Sequence, residues 1–506
     1  MGKGGRFGGF VALSALLALA YVYWSPLSET LQLTYAHRSL SGVAAGAAAL
    51  KDVTVFKNGY STGGVQLQVG ADLLQGKSGR ELAEYFSQFV DVETVQPEGD
   101  SSSAAHESGL ADRVFNGNGR LVGSYQDIAP GDRLYVVAPG LLFVFPFVKL
   151  GHRVVVTPAD SPTGKPVVLE SLTESPRTFH VHNFFSSDEA DKLIKRISEI
   201  DDEDNRLQQS HVGHENGKKV VSRHRTSENA FDQVSPTAVA IRKRVFDVLG
   251  LGAYDDDMCD GLQLLRYQQR QAYIAHTDYF ETHTTAEWNW DPSHGGSNRF
   301  ATVFLYLSNV TRGGQTVFPL ADMPEGLPSA YDHPPEAAAD REFGRALFEA
   351  GSWESEMVDK CATKLASYPR KGHAVLFYSQ KPNGELDPMS LHGGCPVLDG
   401  TKWGANLWVW NKRRYGLDEA TGAATELTVT FQNPTEHAVE LFWATSLMTT
   451  IAPHGKALFT TFEGHQWFVK RDGRVLLEFS GSADGGKSQT VVVPVVESSG
   501  GAKDDL

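Results

Sequence analysis

Seven short apolar runs, each bounded by turn-forming residues, occupy 261–268, 272–280, 299–307, 315–318, 373–379, 390–398 and 401–410. Runs of this length and spacing read as strands, and so many in one stretch must pair into a closed or two-layered β structure. Two helical segments precede them. The first is capped at Ser186 or Ser187, with Asp188 and Glu189 in its first turn and Leu193, Ile197 and Ile200 at helical spacing. The second starts at Ser235-Pro236, with proline at the first helical position, and stops at Gly250. The block 177–415 therefore reads as a helix-backed β-barrel or sandwich.

Other blocks flank it. Residues 51–157 read as ββαββ: Val53–Phe56 and Val65–Val69 joined by Asn58-Gly59, a helix from Ser78 through Phe89, then a hairpin near 113–119 and a strand at 132–137. That order predicts a β-grasp-like accessory domain. The Pro-, Ser-, Thr- and Gly-rich stretch 158–176 reads as a linker, and 25–50 as a spacer. Residues 426–497 alternate as strands throughout and predict a C-terminal β-sandwich.

The ends of the chain suggest a compartment. Residues 1–24 carry Lys3 and Arg6 ahead of an apolar run from Phe10 to Trp24, with Ala18-Leu19-Ala20 as a small-residue cleavage site. The run fits a cleaved signal peptide. It also fits a type II membrane anchor, with Tyr21, Tyr23 and Trp24 at the interface. The tail 498–506 ends in Lys503-Asp504-Asp505-Leu506, similar to the KDEL retrieval signal. Together they predict the endoplasmic reticulum, as a lumenal or membrane-anchored protein, and Asn309-Val310-Thr311 is a matching glycosylation sequon. A net charge of −15 argues against a general nucleic-acid binder. Three cysteines, Cys259, Cys361 and Cys395, leave room for one bridge and one free thiol. Nothing in the sequence fixes the oligomeric state.

The chemistry concentrates in the central block. His276-Thr277-Asp278 lies in a strand-like run from Tyr273 to Phe280, where a period of two projects both side chains from one face. One imidazole and one carboxylate are two ligands of a facial triad; a second histidine would complete a non-heme iron(II) site with open positions. His180-Val181-His182 has a similar spacing and reads as strand surface. Downstream lie Ser390-Leu391-His392-Gly393-Gly394-Cys395-Pro396-Val397 and then Lys402-Trp403. A cation just past the last ligand is what a dicarboxylate co-substrate requires, since its distal carboxylate needs a charged partner. Asp399-Gly400 predicts a hairpin that folds these two strands together. In a plain hairpin His392 and Lys402 face apart, so a bulge near Gly393-Gly394 or Pro396 is expected to bring them into one pocket.

This block resembles the prolyl 4-hydroxylases of the 2-oxoglutarate dioxygenase superfamily. The matching residues are Arg225-Thr226-Ser227, Leu264-Leu265-Arg266-Tyr267, Tyr273-x-x-His276-x-Asp278, Gly313 through Pro319, Pro369-Arg370-Lys371-Gly372 and the His392 to Trp403 run. The resemblance implies a double-stranded β-helix (jelly-roll) fold and an enzyme using iron(II), 2-oxoglutarate, dioxygen and L-ascorbate. It implies His276, Asp278 and His392 as iron ligands, Lys402 on the distal carboxylate of 2-oxoglutarate, and Tyr267 and Thr316 as further co-substrate contacts. The products would be succinate, carbon dioxide and a C4-hydroxylated peptidyl proline. Proline-rich chains form polyproline II helices that dock on aromatic grooves, and the resemblance places Tyr273, Arg299 and Trp408 along such a groove. Two departures are an insertion at 281–298 with Trp288 and Trp290, and an acidic stretch at 321–360 that reads as a loop over the groove. The resemblance also pairs Cys361 with Cys395 and leaves Cys259 free.

In the last block, Phe431-Gln432-Asn433, Phe442-Trp443, Pro453-x-Gly455 and Phe462 through Trp467 resemble the β domain of the von Hippel–Lindau tumour suppressor. The resemblance implies a β-sandwich with Thr461, His465 and Trp467 at a hydroxyproline pocket; equally, His465 and Trp467 fit a stabilising core. Met448 and Thr460 stand where that pocket has a tyrosine and a histidine. Two alternatives to prolyl hydroxylation are a related hydroxylase acting on lysine and an inactive hydroxyproline-binding module. Intact His276, Asp278, His392 and Lys402 speak against the inactive form.

Overall fold

The computed structural model describes residues 50–95, 110–200, 207–209, 211–215, 218–221, 226–282, 289–325, 337–414, 426–443, 446–462, 465–480 and 488–495. The signals read at 1–24 and 498–506, the spacer 25–50 up to its last residue, and Arg225 and Trp288 lie outside them. Among the described residues no helix is long and apolar enough to cross a membrane. The chain divides into two compact units, one holding Met1–Glu93 with His106–Pro139, the other Thr94–Ala105 with Gly140–Leu506.

The first unit is a four-stranded sheet in the order Val65–Val69, Lys51–Lys57, Asp132–Val137, Arg113–Asn116, with its central pair parallel. The helix Gly79–Phe86 starts in a capping box between Ser78 and Glu81 and buries Leu82, Ala83 and Phe86 in the core.

In the second unit a nine-stranded sheet runs in the order Arg153–Val156, Val167–Thr173, Thr178–His182, His373–Tyr378, Arg299–Tyr306, Lys402–Trp410, Leu262–Tyr267, Glu228–Asp232, Gln208–Gln209. A four-stranded sheet follows the order Tyr273–His276, His392–Gly394, Thr316–Asp322, Lys364–Ser367. The two share one core. Leu265, Tyr267, Phe304, Tyr306, Val375 and Phe377 from the large sheet meet Phe318, Ala321 and Leu365 from the small one. Two facing antiparallel sheets with crossing connections make the jelly roll that the resemblance implied.

The residues read as a linker contribute a strand. Turn-forming residues concentrate before Pro166, while Val167–Thr173 carries the apolar side chains of a sheet strand and pairs with Thr178–His182. Arg153–Val156 extends the same edge, so the sheet begins well before residue 177. The predicted helices are Ser187–Glu199 and Pro236–Leu249, the second closing on Gly250 at φ 67. Arg244 locks them together: its buried guanidinium donates to the Phe184 carbonyl at 2.8 Å and to Glu189 at 2.8 and 3.3 Å, and also pairs with Asp160.

The acidic stretch is a strand end and two helices, Ala337–Leu347 and Trp353–Thr363, rather than a loop over the groove, with 326–336 outside the described residues. Met357, Val358 and Cys361 form a narrow buried stripe, and a disulfide joins Cys361 to Cys395 beside the His392–Gly394 strand. Cys259 is a buried free thiol.

The expected hairpin around Asp399-Gly400 is not one. Val397–Asp399 pairs with Arg312–Gly313, whereas Lys402–Trp410 sits in the large sheet between Arg299–Tyr306 and Leu262–Tyr267. The turn, with Gly400 at φ 88, carries the chain from one layer to the other. His392 and Lys402 stand in different layers that face each other, and the pairing of Tyr273–His276 with His392–Gly394 carries a register shift beside Gly393-Gly394.

The C-terminal block packs a three-stranded sheet (Lys456–Phe462, Glu426–Gln432, Ser488–Val492) on a four-stranded one (Ser446–Ile451, Val439–Trp443, Gln466–Arg471, Arg474–Ser480). Leu427, Val429 and Phe431 meet Val439, Leu441, Trp467 and Val469 between them.

Gly313 is a tight point of the seam between the paired strands Arg312–Gly313 and Val397–Asp399. At φ +74, a Cβ there would stand 2.2 Å from the Pro396 carbonyl oxygen and 2.8 Å from the Leu398 nitrogen. Gly313→Ala should destabilise the fold by about 3 kcal/mol, read as a lowered urea midpoint; an unchanged midpoint would contradict the seam.

Candidate active site

A row of side chains across three neighbouring strands forms the floor of the site: Phe377, Thr302 and Trp408 are register partners in the large sheet. Above it, the Tyr273–His276 strand pairs with His392–Gly394, bringing His276 opposite His392. Asp278 lies two residues beyond the strand end, outside regular pairing, so alternation along one strand is not what aims it. Thr302 is: its hydroxyl donates to Asp278 Oδ2 at 2.7 Å. His276 Nε2 is 3.6 Å from Asp278 Oδ1 and His392 Nε2 is 3.5 Å from Asp278 Oδ2. The three ligand atoms lie within 4.8 Å of one another.

Both imidazoles are held in one orientation. His276 Nδ1 is 2.9 Å from the Ile274 carbonyl and His392 Nδ1 is 3.0 Å from the Ser390 carbonyl. A carbonyl only accepts, so each Nδ1 donates and each Nε2 is the nitrogen that faces Asp278. Burial holds His392 down at about 4, against the opposing pull of Asp278. Burial would raise Asp278, but the charges of His392 and His276, a His276 hydrogen bond and Arg299 hold it well below the carboxylate range. An ionised carboxylate beside two imidazoles whose Nδ1 is already engaged leaves each Nε2 as the ligand atom for a metal. Two nitrogens and one oxygen on one side, with positions left open, fit iron(II). Rings close the flank: Tyr273 stacks on His276 at 3.7 Å and Phe377 lies 4.4 Å from His392.

Lys402 is buried at the start of its strand, opposite Tyr267 in register. Its ammonium sits 4.6 Å from the Phe304 ring centre and 5.3 Å from that of Tyr267. Among the described residues no carboxylate forms a salt bridge with it. A buried cation left in this way is costly and fits an incoming carboxylate. The Tyr267 hydroxyl borders the same space, 3.8 Å from where a Cβ on Gly394 would stand. Thr316 shares a hydrogen bond with Tyr306 at 2.9 Å and is turned toward the sheet core.

Arg299 and Trp408 also reach the site. The Arg299 guanidinium lies 3.8 Å above the Trp408 ring, pairs with Asp260 at 3.1 Å and donates to the Asp278 backbone carbonyl at 3.1 Å. Asp260 in turn accepts from Trp410 Nε1 at 3.1 Å. Asn309 is exposed, its side-chain oxygen accepting from the Lys371 amide at 3.0 Å. Thr461, His465 and Trp467 form a chain in the C-terminal sandwich. The Trp467 indole donates to Thr461 Oγ1 at 2.9 Å, and His465 Nδ1 is 3.2 Å from the same oxygen. Trp467 itself is buried in the sandwich core. Sequence reading did not find Thr302 or Asp260; a buried hydroxyl inside the apolar run 299–307 was the one signal for Thr302.

Residues 262–410 match the model of the 2OG-Fe(II) oxygenase superfamily. The chain is 36% identical over 246 residues to probable prolyl 4-hydroxylase 3 of Arabidopsis thaliana, covering 47% of this chain and 71% of the relative. It is 35% identical over 247 residues to prolyl 4-hydroxylase 2 of the same plant, covering 48% and 70%. Among solved structures, a viral collagen prolyl hydroxylase from Paramecium Bursaria Chlorella virus-1, in its 2-oxoglutarate complex, aligns at a TM-score of 0.29 and 19% identity, over 46% of this chain and 95% of that one. A Pseudomonas putida prolyl-4-hydroxylase aligns at 0.26 and 16%, over 47% and 92%.

Two outcomes follow for the site. Thr302→Val keeps the shape and removes the bond to Asp278, so iron(II) affinity should fall by about tenfold or more while the fold is retained. Burial lowers the Lys402 ammonium to about 7. A carboxylate partner stabilises the charged form, so binding strength is full below that value and is lost as pH rises through it. Affinity of the free enzyme for 2-oxoglutarate, measured by calorimetry, should therefore weaken toward tenfold per pH unit above about 7; a flat profile would contradict the assignment.

Proposed function

This chain belongs to the prolyl 4-hydroxylase family, and we propose that His276, Asp278 and His392 hold its iron while Lys402 receives the distal carboxylate of 2-oxoglutarate. The reaction is the iron(II)- and 2-oxoglutarate-dependent hydroxylation of peptidyl proline, with release of succinate and carbon dioxide. The observation that carries the residue assignment is the pairing of a converged two-histidine, one-carboxylate set with a buried ammonium in the same core.

When bound, iron(II) supplies oxygen activation coupled to oxidative decarboxylation of the co-substrate. The chain's own residues orient and exclude. The carbonyls of Ile274 and Ser390 keep both Nε2 lone pairs on the metal side. Thr302 fixes the carboxylate, and the Phe377 and Tyr273 rings keep water from the flanks. Lys402 sets the far end of the co-substrate, with Tyr267 beside it. Arg299, braced by Asp260 against the face of Trp408, and Tyr273, stacked on a ligand, border the open side and are proposed to receive the proline-rich peptide. A secretory compartment is part of the same reading, supported by the Cys361–Cys395 bridge and the exposed sequon at Asn309.

The full chain, supplied with iron(II), ascorbate, 2-oxoglutarate and a proline-rich peptide, should add one oxygen to proline by mass spectrometry, and His276→Ala should abolish the gain. Oxygen added to lysine instead would overturn the substrate. Lys402→Met should raise the KM for 2-oxoglutarate about 100-fold with kcat at saturation far less affected.

A further inference from the structure

Three other histidines converge away from the active site. His180 and His182 are two residues apart on the Thr178–His182 strand, and His373 opens the antiparallel neighbour His373–Tyr378. The register pairs His180 with Val375 and Val181 with Ala374. Alternation then sets all three imidazoles on one face of the sheet. The reading of His180-Val181-His182 as strand surface is corrected here: His180 is buried, and His182 and His373 are half-buried. The cause is the pair of strands, Val167–Thr173 and Arg153–Val156, that extend the sheet past this point.

His180 Nε2 lies 2.8 Å from His373 Nδ1, so one donates and the other accepts. His182 stacks on His180 with ring centres 4.6 Å apart. One ligand atom from each of the three lies within 4.8 Å of the other two. The fourth group is Glu170, a buried carboxylate from the next strand, register partner of His180, 2.9 Å from His182 Nε2. A carboxylate acceptor there makes Nε2 the donor and leaves the lone pair on Nδ1, the second-shell arrangement that fixes metal-bound histidines. Burial, with His182 and Arg370, holds His373 at about 4, and burial, His182, His373 and Arg370 lower His180 well below the ordinary imidazole value, so both are neutral near pH 7.

We propose that His180, His182 and His373 form a second metal site, for a divalent ion of the zinc class, with Glu170 orienting His182. Two histidines two residues apart on a strand and a third from the neighbouring strand give three nitrogen ligands and leave one position open. Three imidazoles favour zinc, cobalt, nickel or copper over magnesium or calcium. Bonds of about 2.0–2.1 Å require the His180–His373 contact to open by roughly half an ångström and the His182 ring to rotate off its stack. Arg370 opposes the added charge, whereas Arg153 is already paired with Glu170 at 2.9 Å. The half-buried His182 and His373 give the ion a path from solvent. This site is distinct from the catalytic one. Phe377, which touches His392, is four residues along the strand from His373, or about 13 Å. Its role is to staple the first strand of the 177–415 block to the sheet that floors the active site.

Zinc content of the full chain after dialysis separates the two sites. Wild type should retain two equivalents, His276→Ala one, His182→Gln one, and the double variant none. Zinc should raise the thermal midpoint of His276→Ala but not of the double variant. Turnover of His182→Gln with iron and 2-oxoglutarate confirms that it is folded. Cobalt(II) in His276→Ala should give the intense visible bands of a four-coordinate nitrogen site. A single zinc equivalent in wild type that vanishes in His276→Ala would overturn the proposal, as would two equivalents retained by His182→Gln.

Discussion

The ionised carboxylate of Asp278 is buried where two sheets face each other, and the surroundings are organised around keeping it charged. Burial of such a group costs several kcal/mol unless it is hydrogen-bonded and faced by positive or polarisable partners. Thr302 supplies the hydrogen bond from the large sheet, and His276 and His392 supply the flanking nitrogens from the small one. Neither sheet alone could do so. On the small-sheet side, the Cys361–Cys395 disulfide ties the Trp353–Thr363 helix to the chain just after His392–Gly394.

Lys402 and Asp278 are opposite charges in one core, yet they are not partners. Each satisfies different needs: Asp278 through Thr302 and the imidazoles, Lys402 through aromatic faces that only partly replace water. The co-substrate proposed for this site, with a carboxylate at each end, would meet both needs. Stability is therefore low where function needs it, in a site whose charges are completed by ligand binding.

The strands and the two capped helices were legible because each rests on local pattern, alternation or an N-cap; His276, Asp278 and His392, which the structure brings together, were singled out by the resemblance. What required three dimensions was less so. Asp399-Gly400 reads as a hairpin because turn chemistry says how the chain reverses, not which sheet each arm enters. Thr302 stands 24 residues from the carboxylate it orients, and only strand pairing brings it there. His180 reads as surface because the turn-rich composition of 158–176 hides the strand Val167–Thr173, which covers that edge. In 321–360 dense charge concealed two helices, the second of which, Trp353–Thr363, buries just Met357, Val358 and Cys361.

The most direct measurement is anaerobic visible absorption of the full chain with iron(II) and 2-oxoglutarate, where chelation of the keto acid produces a charge-transfer band. The account predicts the band in wild type, its loss in His392→Ala, and its appearance in Lys402→Met only at much higher 2-oxoglutarate. A band that survives His392→Ala, or one whose 2-oxoglutarate dependence ignores Lys402→Met, would contradict it.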